Sequence, residues 1–262
     1  RSADSDGALL AQACSNDAQV CAHAIRNLNR IAMGTAKMRW SQTGYGRTSS
    51  TSVAQETPRN LFGFKDGTNN IKSEDGDAKL NEHLWVQKGD DSGADWMTGG
   101  TYFVVRKIHM FAEMWDNLRL IEQEQTFGRD KRYGAPLNVT APTSGKDEFK
   151  PIDFKAKNKE GELEVPEDSH IAIVNPEQNK GRWMLRRGYN YTEGSDALGR
   201  LSAGLFFIAF VRDPRTNFYP ILDKMTQKDA LSEYLQHQAR ALFAIPAGIG
   251  QSDTMVGQAL FS

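Results

Sequence analysis

The segment Asn60 to Asn70 reads NLFGFKDGTNN and sets one acid, Asp66, between Gly63 and Gly67 in a G-x-x-D-G pattern. Two glycines let the backbone approach a bound group closely, and an acid between them projects into whatever space is left. Asp-Gly is also a common surface-turn dipeptide, so the pattern alone leaves both readings open. The apolar neighbours Leu61, Phe62 and Phe64 favour a buried turn. A carboxylate held in a partly desolvated pocket is suited to shuttling a proton.

The chain has five histidines. His23 and His237 fall on helical patterns rich in polar residues and His83 in a hydrophilic linker, so these three read as surface. His109 alternates with Phe103, Val105 and Phe111 and reads as a hydrogen-bonded core residue. His170 opens SHIAIVNP, read as a short strand over residues 170–174. A lone histidine there is more often structural than a ligand. No second His, Cys or carboxylate stands at zinc-site spacing from it. If His170 binds metal, a single axial bond to haem iron is the natural form. In the stretch MLRRGYNY, Arg186 and Arg187 are consecutive and would face opposite ways on a strand. The inward one needs a carboxylate, a propionate or a developing oxyanion; a solvated pair on a sheet edge is the alternative.

Elements that must position these groups follow from periodicity. Gly7 to Thr35 carries apolar residues at threes and fours and predicts two helices, broken near Ser15-Asn16-Asp17 by an N-cap for the second. Residues 37–52 read as a polar loop. Thr101 to Phe111 alternates and predicts a strand. Glu113 to Phe127 predicts a helix closed by Gly128. Residues 145–166 read as a charged surface loop. Gly204 to Arg212 is an apolar run of strand length, hence a buried central strand. Helices are predicted over Phe218 to Met225 and Lys228 to Phe243, before a short terminal strand. The implied order from about Gly99 onward resembles one complete ferredoxin-like α+β unit. Residues 1–95 read as a partial second unit carrying the Asp66 loop, and residues 96–262 as the complete one.

Composition narrows the function classes. A net charge of −1 and the lack of a long basic tract give no electrostatic footprint for nucleic acid or anionic lipid. No apolar run approaches the ~20 residues of a membrane-spanning helix, and no signal peptide is legible. Cys14 and Cys21 are too few for a disulfide framework or a cysteine zinc site and read as small hydrophobes.

The segments RNLFGFKDGT, SHIAIVNP, MLRRGYNY and LFAIPAG, in this order, resemble the dye-decolourising peroxidase family. The likeness is to its bacterial exported branch, which includes the iron-uptake-operon peroxidases and deferrochelatases. It extends over nearly the whole chain, including RWSQTGYGRTSSTS. The resemblance implies two ferredoxin-like units of the dimeric α+β barrel type, with one haem b in the C-terminal unit and a further N-terminal portion in family members. It implies Asp66 as the distal acid–base residue, Arg186 as the distal arginine and His170 as the proximal iron ligand. Gly67, Thr68 and Asn69 would line the haem edge, and Asn175, Pro176 and Glu177 would contact the macrocycle. Some relatives carry a basic residue where Glu177 stands. Asp229, with Glu233 as its competitor, would be the carboxylate behind the proximal histidine. The implied reaction oxidises bulky organic reductants such as dyes and phenols with hydrogen peroxide, through a ferryl state. The alternative is haem handling, as a deferrochelatase or haem carrier. Export, iron-uptake partners and a homo-oligomer are further expectations of the resemblance alone.

Overall fold

A computed structural model describes residues 5–46 and 50–261. Its centre is a five-stranded sheet built from the segments richest in β-branched and aromatic residues. Strand β1 (Thr101–Met110) pairs antiparallel with β4 (Leu201–Val211) on one side and with β5 (Leu235–Ile245) on the other. Strands β2 (Leu185–Arg186) and β3 (Tyr189–Ser195) both pair with β4, giving the lateral order β2/β3, β4, β1, β5.

Alternation along the strands makes two apolar faces. On one, Phe103, Val105, Ile208 and Ala241 are covered by Leu10 and Trp40 from the N-terminal segment. On the other, Val104, Ala209 and Val211 meet Phe218 and Leu222. These two side chains come from the helical layer α6 (Pro214–Asn217) and α7 (Tyr219–Lys228). A third cluster lies at the end of the sheet, where Trp115 is fully buried among Phe62, Phe64, Met110, Phe127 and Leu231. Large aromatic side chains such as these dominate the apolar burial of a core.

Several sequence expectations are corrected. Only the second N-terminal helix forms, α1 (Ala18–Ile31), with Asp17 as N-cap accepting from the Gln19 amide at 2.8 Å. Residues 7–15 are not helical, and α1 itself buries no residue. The loop expected over 37–52 is irregular on both sides of 47–49, which lie outside the described residues. His83 ends α2 (Gly76–His83) and is buried rather than surface, 3.4 Å from the Asn217 amide. The helix expected over 113–127 is two short ones, α3 (Ala112–Asp116) and α4 (Leu120–Phe127). The break lets Gln123 reach back to the Trp115 carbonyl at 3.0 Å. His109 is not hydrogen-bonded through Nδ1, which is buried without a partner, and its ring stands edge-on to Phe111. The segment His170–Val174 is a helix, α5, not a strand: it packs against α7 and, among the described residues, pairs with no strand.

The segment Lys228 to Phe243, expected as one helix, is mostly strand. The α7 helix ends at Lys228, a short 3-10 turn spans Ala230–Tyr234, and the rest is β5. Leu231, Tyr234, Leu235, Leu242 and Phe243 fit a helical stripe. Residues 239, 241 and 243 also fit an alternating one, and pairing with β1 from Met110 to Thr101 decides between them. His237 therefore sits on a strand. Among the described residues no helix is long and apolar enough to cross a membrane.

Candidate active site

The Asp66 loop is shaped by its own polar side chains. Asn60 Oδ1 accepts from the amides of Phe62 at 3.1 Å and Phe64 at 3.3 Å, closing an Asx-type turn around Gly63, whose φ is +82°. The turn sends Phe62 and Phe64 into the core. There Phe62 stacks on Trp115 with 4.4 Å between ring centroids, and Phe64 stacks on Phe127 at 4.1 Å. With Phe64 pinned and the Asp66 amide donating to Pro58 O at 2.8 Å, the carboxylate is directed away from the core.

It meets Arg186. The guanidinium Nη1 donates to Asp66 Oδ1 at 2.9 Å, with both side chains about one quarter exposed. The backbone of Arg186 is held by Asn70, a buried side chain. Asn70 Nδ2 donates to Arg186 O at 3.0 Å, while the Arg186 amide donates to Asn70 Oδ1 at 2.8 Å. The amide thus mimics a neighbouring strand on the free edge of β2 and fixes Arg186 in register with the acid. Asp66 and Arg186 line one cleft, open to solvent, with Asn60, Gly188, Leu205 and Phe207.

On either side of Asp66, Lys65 Nζ and Thr68 Oγ1 both donate to the buried Glu148 carboxylate at 2.6 Å. Gly67 is buried with φ of +111°, a conformation glycine adopts readily, and Asn69 is exposed. Arg129 supports the same region, its Nη1 donating to Gly134 O at 2.6 Å and Glu148 O at 2.9 Å. Burial pulls its guanidinium down to about 10. Asn70, Glu148 and Arg129 carry no sequence signature of their own. Asn70 is simply the second asparagine of DGTNN.

His170 begins α5. Its Nδ1 lies 2.7 Å from Asp229 Oδ2, and the Asp229 side chain is fully buried. Asp229 sits where α7 gives way to the following turn, and its other oxygen accepts from the Leu231 amide at 3.0 Å. Asp229, rather than Glu233, therefore stands behind the histidine. A carboxylate on Nδ1 favours the tautomer with hydrogen there and leaves the Nε2 lone pair as the metal-binding one. The Phe127 ring stands edge-on to the imidazole at 6.0 Å. Gly128, with φ of +78°, is pressed against Ile171 and Ser169 on either side of it.

Asn175 caps the turn Pro176–Asn179, accepting from the Glu177 amide at 2.9 Å. Glu177 is exposed and has no ion pair among the described residues. No hydrogen bond or ion pair among the described residues joins this turn to the Asp66–Arg186 pair. The structure thus brings together two pairs, Asp66 with Arg186 and His170 with Asp229. Phe64, two residues before Asp66, stacks on Phe127, whose ring stands edge-on to His170.

The donor set fits haem and not a bare ion. Among the described residues no group of three or more His, Cys, Asp or Glu side chains could cage a metal. An iron that brings four porphyrin nitrogens needs from the protein only one axial donor, and Nε2 of His170 is such a donor.

Comparison with known proteins supplies the family. Residues 57–250 match the model described as Dyp-type peroxidase, C-terminal, and residues 1–46 the model described as Dyp-type peroxidase, N-terminal. The chain is 35% identical over 243 residues to a dye-decolorizing peroxidase of Thermobifida fusca, covering 92% of this chain and 55% of that protein. It is 34% identical over 257 residues to a deferrochelatase of Yersinia pseudotuberculosis, covering 97% and 57%. It thus spans little more than half the length of these curated relatives. Among solved structures, an X-ray generated oxyferrous complex of DtpA from Streptomyces lividans matches with a TM-score of 0.90 and 37% identity. That match covers 100% of this chain and 68% of the other. The chain belongs to the dye-decolourising, or Dyp-type, peroxidase family.

Proposed function

We propose that this chain carries the haem b site of a peroxidase that reduces hydrogen peroxide and oxidises an organic molecule, in which His170 would hold the iron and Asp66 and Arg186 would act on the peroxide. The observation that carries the reading is the pairing of an imidazole backed by the fully buried Asp229 with a separate acid–guanidinium pair lining a cleft. Haem b, when bound, supplies an iron that takes up the oxidising equivalents of peroxide and returns them singly to the reductant.

The chain's own residues do the rest. Peroxide must lose a proton from one oxygen and gain it on the other as the O–O bond breaks. Asp66 accepts the first proton and returns it to the departing oxygen. Arg186 donates to that oxygen as negative charge develops, a contribution of about 3 kcal/mol for one well-placed donor. Asn70 keeps the guanidinium in place, and Glu148 restrains Lys65 and Thr68 around the acid. Asp229 orients His170 and raises its basicity toward iron. Bulky dyes or phenols would deliver electrons from outside the cleft.

We read the sheet as one ferredoxin-like unit, since its order of elements and its lateral arrangement both follow that plan. Stopped-flow absorption tests the assignment. Asp66→Ala should retain the Soret band and react with peroxide at least 100-fold more slowly. An unchanged rate would remove Asp66 from the proton path.

The likeness to a deferrochelatase favours a second reading, release of iron from haem with the tetrapyrrole left intact. Chromatography of the tetrapyrrole beside peroxide-dependent oxidation of an anthraquinone dye separates the two. Recovered metal-free porphyrin without dye oxidation would decide for the second.

A further inference from the structure

On the face of the sheet that carries Arg186 and Phe207, two more guanidiniums stand side by side. Arg106 of β1 lies directly opposite Phe207 of β4, which lines the cleft, and directly opposite Arg240 of β5. Residues opposite each other in an antiparallel pair project to the same face, and like charges so placed repel. Neither arginine is ion-paired to a carboxylate among the described residues. Burial, and then the charge of Arg240, pull the Arg106 guanidinium down to about 10. His237, one position beyond the bulge in β5 and opposite Ile108, is held neutral down to about 4 by desolvation and by Arg106. A half-buried cation facing a second, exposed cation, with no acid between them, offers two guanidinium groups to an anion that enters beside them.

We propose that Arg106, backed by Arg240, is the seat of a carboxylate of the bound porphyrin, entering from the cleft beside Phe207. The inference rests on the haem reading above and adds the residues that set which way the macrocycle lies. A porphyrin carboxylate is the fitting anion because it is attached to a flat apolar body. Leu205 and Phe207 offer that body an apolar wall next to the cations.

The test is a Soret titration of the haem-free 262-residue chain with haem b and with its dimethyl ester, which keeps the ring and iron but removes both charges. The wild-type chain should bind haem b at least tenfold tighter than the ester. Arg106→Gln should bring the two affinities within about twofold, with Arg106→Lys intermediate and Arg240→Gln narrowing the gap. Circular dichroism of each variant verifies its fold, and the wild-type comparison stands even if Arg106→Gln fails to fold. Equal wild-type affinity for both porphyrins, or an undiminished preference in folded Arg106→Gln, overturns the inference while leaving the haem reading intact. Failure of both porphyrins to bind the wild-type chain overturns the haem reading itself.

Discussion

Asp229→Asn isolates the charge behind His170 with almost no change of shape. In the wild type the carboxylate accepts two hydrogen bonds, from His170 Nδ1 at 2.7 Å and from the Leu231 amide at 3.0 Å, inside a fully buried site. An asparagine has only one acceptor oxygen. If that oxygen faces His170, the amide NH₂ confronts the Leu231 N–H. One buried donor is then unsatisfied, which costs about 1–3 kcal/mol. If it faces Leu231, the NH₂ donates to Nδ1 and drives the imidazole to the tautomer that protonates Nε2, removing the lone pair iron needs. Either way the charge-assisted bond is replaced by a neutral one of roughly half the strength. Haem affinity should fall about 10–100-fold, the range seen for outer-shell partners of metal-bound histidine. The iron reduction potential should rise as the imidazole pushes less. Soret titration gives the affinity and spectroelectrochemistry the potential. If the affinity stays within twofold and the potential does not move, Asp229 plays no part in tuning the ligand.

Asn70→Ala should leave haem occupancy intact and slow the peroxide reaction about tenfold or more, because Arg186 loses both bonds that fix its backbone; stopped-flow rates at equal haem content decide it. Gly128→Ala forces a Cβ to within 2.6 Å of Ile171 Cγ1 in a left-handed backbone. It should cost about 2–4 kcal/mol in urea unfolding and weaken haem binding with it. Burial lowers the pKa of His83 below its ordinary 6.5, so unfolding takes up a proton there as pH falls. Stability from this group is complete above pH 6.5 and declines below it, and His83→Gln should flatten that part of a melting-temperature profile. Hydrogen bonds from Lys150 and from the amides of Ser144 and Thr143 lower Asp147 from 3.8 to about 2. Its contribution to the turn bearing Glu148 is present above pH 4 and lost toward pH 2, and Asp147→Ala should remove that acid-limb slope in denaturation curves.

The candidate site residues were legible in the sequence through short motifs that, taken together and in order, resemble a known family, although each alone left a structural reading open. G-x-x-D-G around Asp66 singles out one acid, and SHIAIVNP singles out one histidine. The runs Thr101 to Phe111 and Gly204 to Arg212 are strands because alternation and continuous apolarity are properties of a few adjacent residues. Other features depend on partners distant in the chain. Leu235–Ile245 satisfies helical and strand periodicity alike, and only ladder bonds to β1 choose the strand. His170–Val174 has the β-branched composition of a strand, yet among the described residues it pairs with no strand and satisfies its backbone as a helix against α7. Asp229 was preferred to Glu233 as the partner of His170 only through the family resemblance; the contact itself is made by the turn after α7, which buries Asp229 against a histidine 59 residues away in sequence. Asn70 has no motif at all, because its role is to complete the edge of a two-residue strand 116 residues further on. Residue type and short-range spacing decide which groups can do chemistry. Which of them meet is decided by hydrogen bonds and burial between segments that the chain brings together only when it folds.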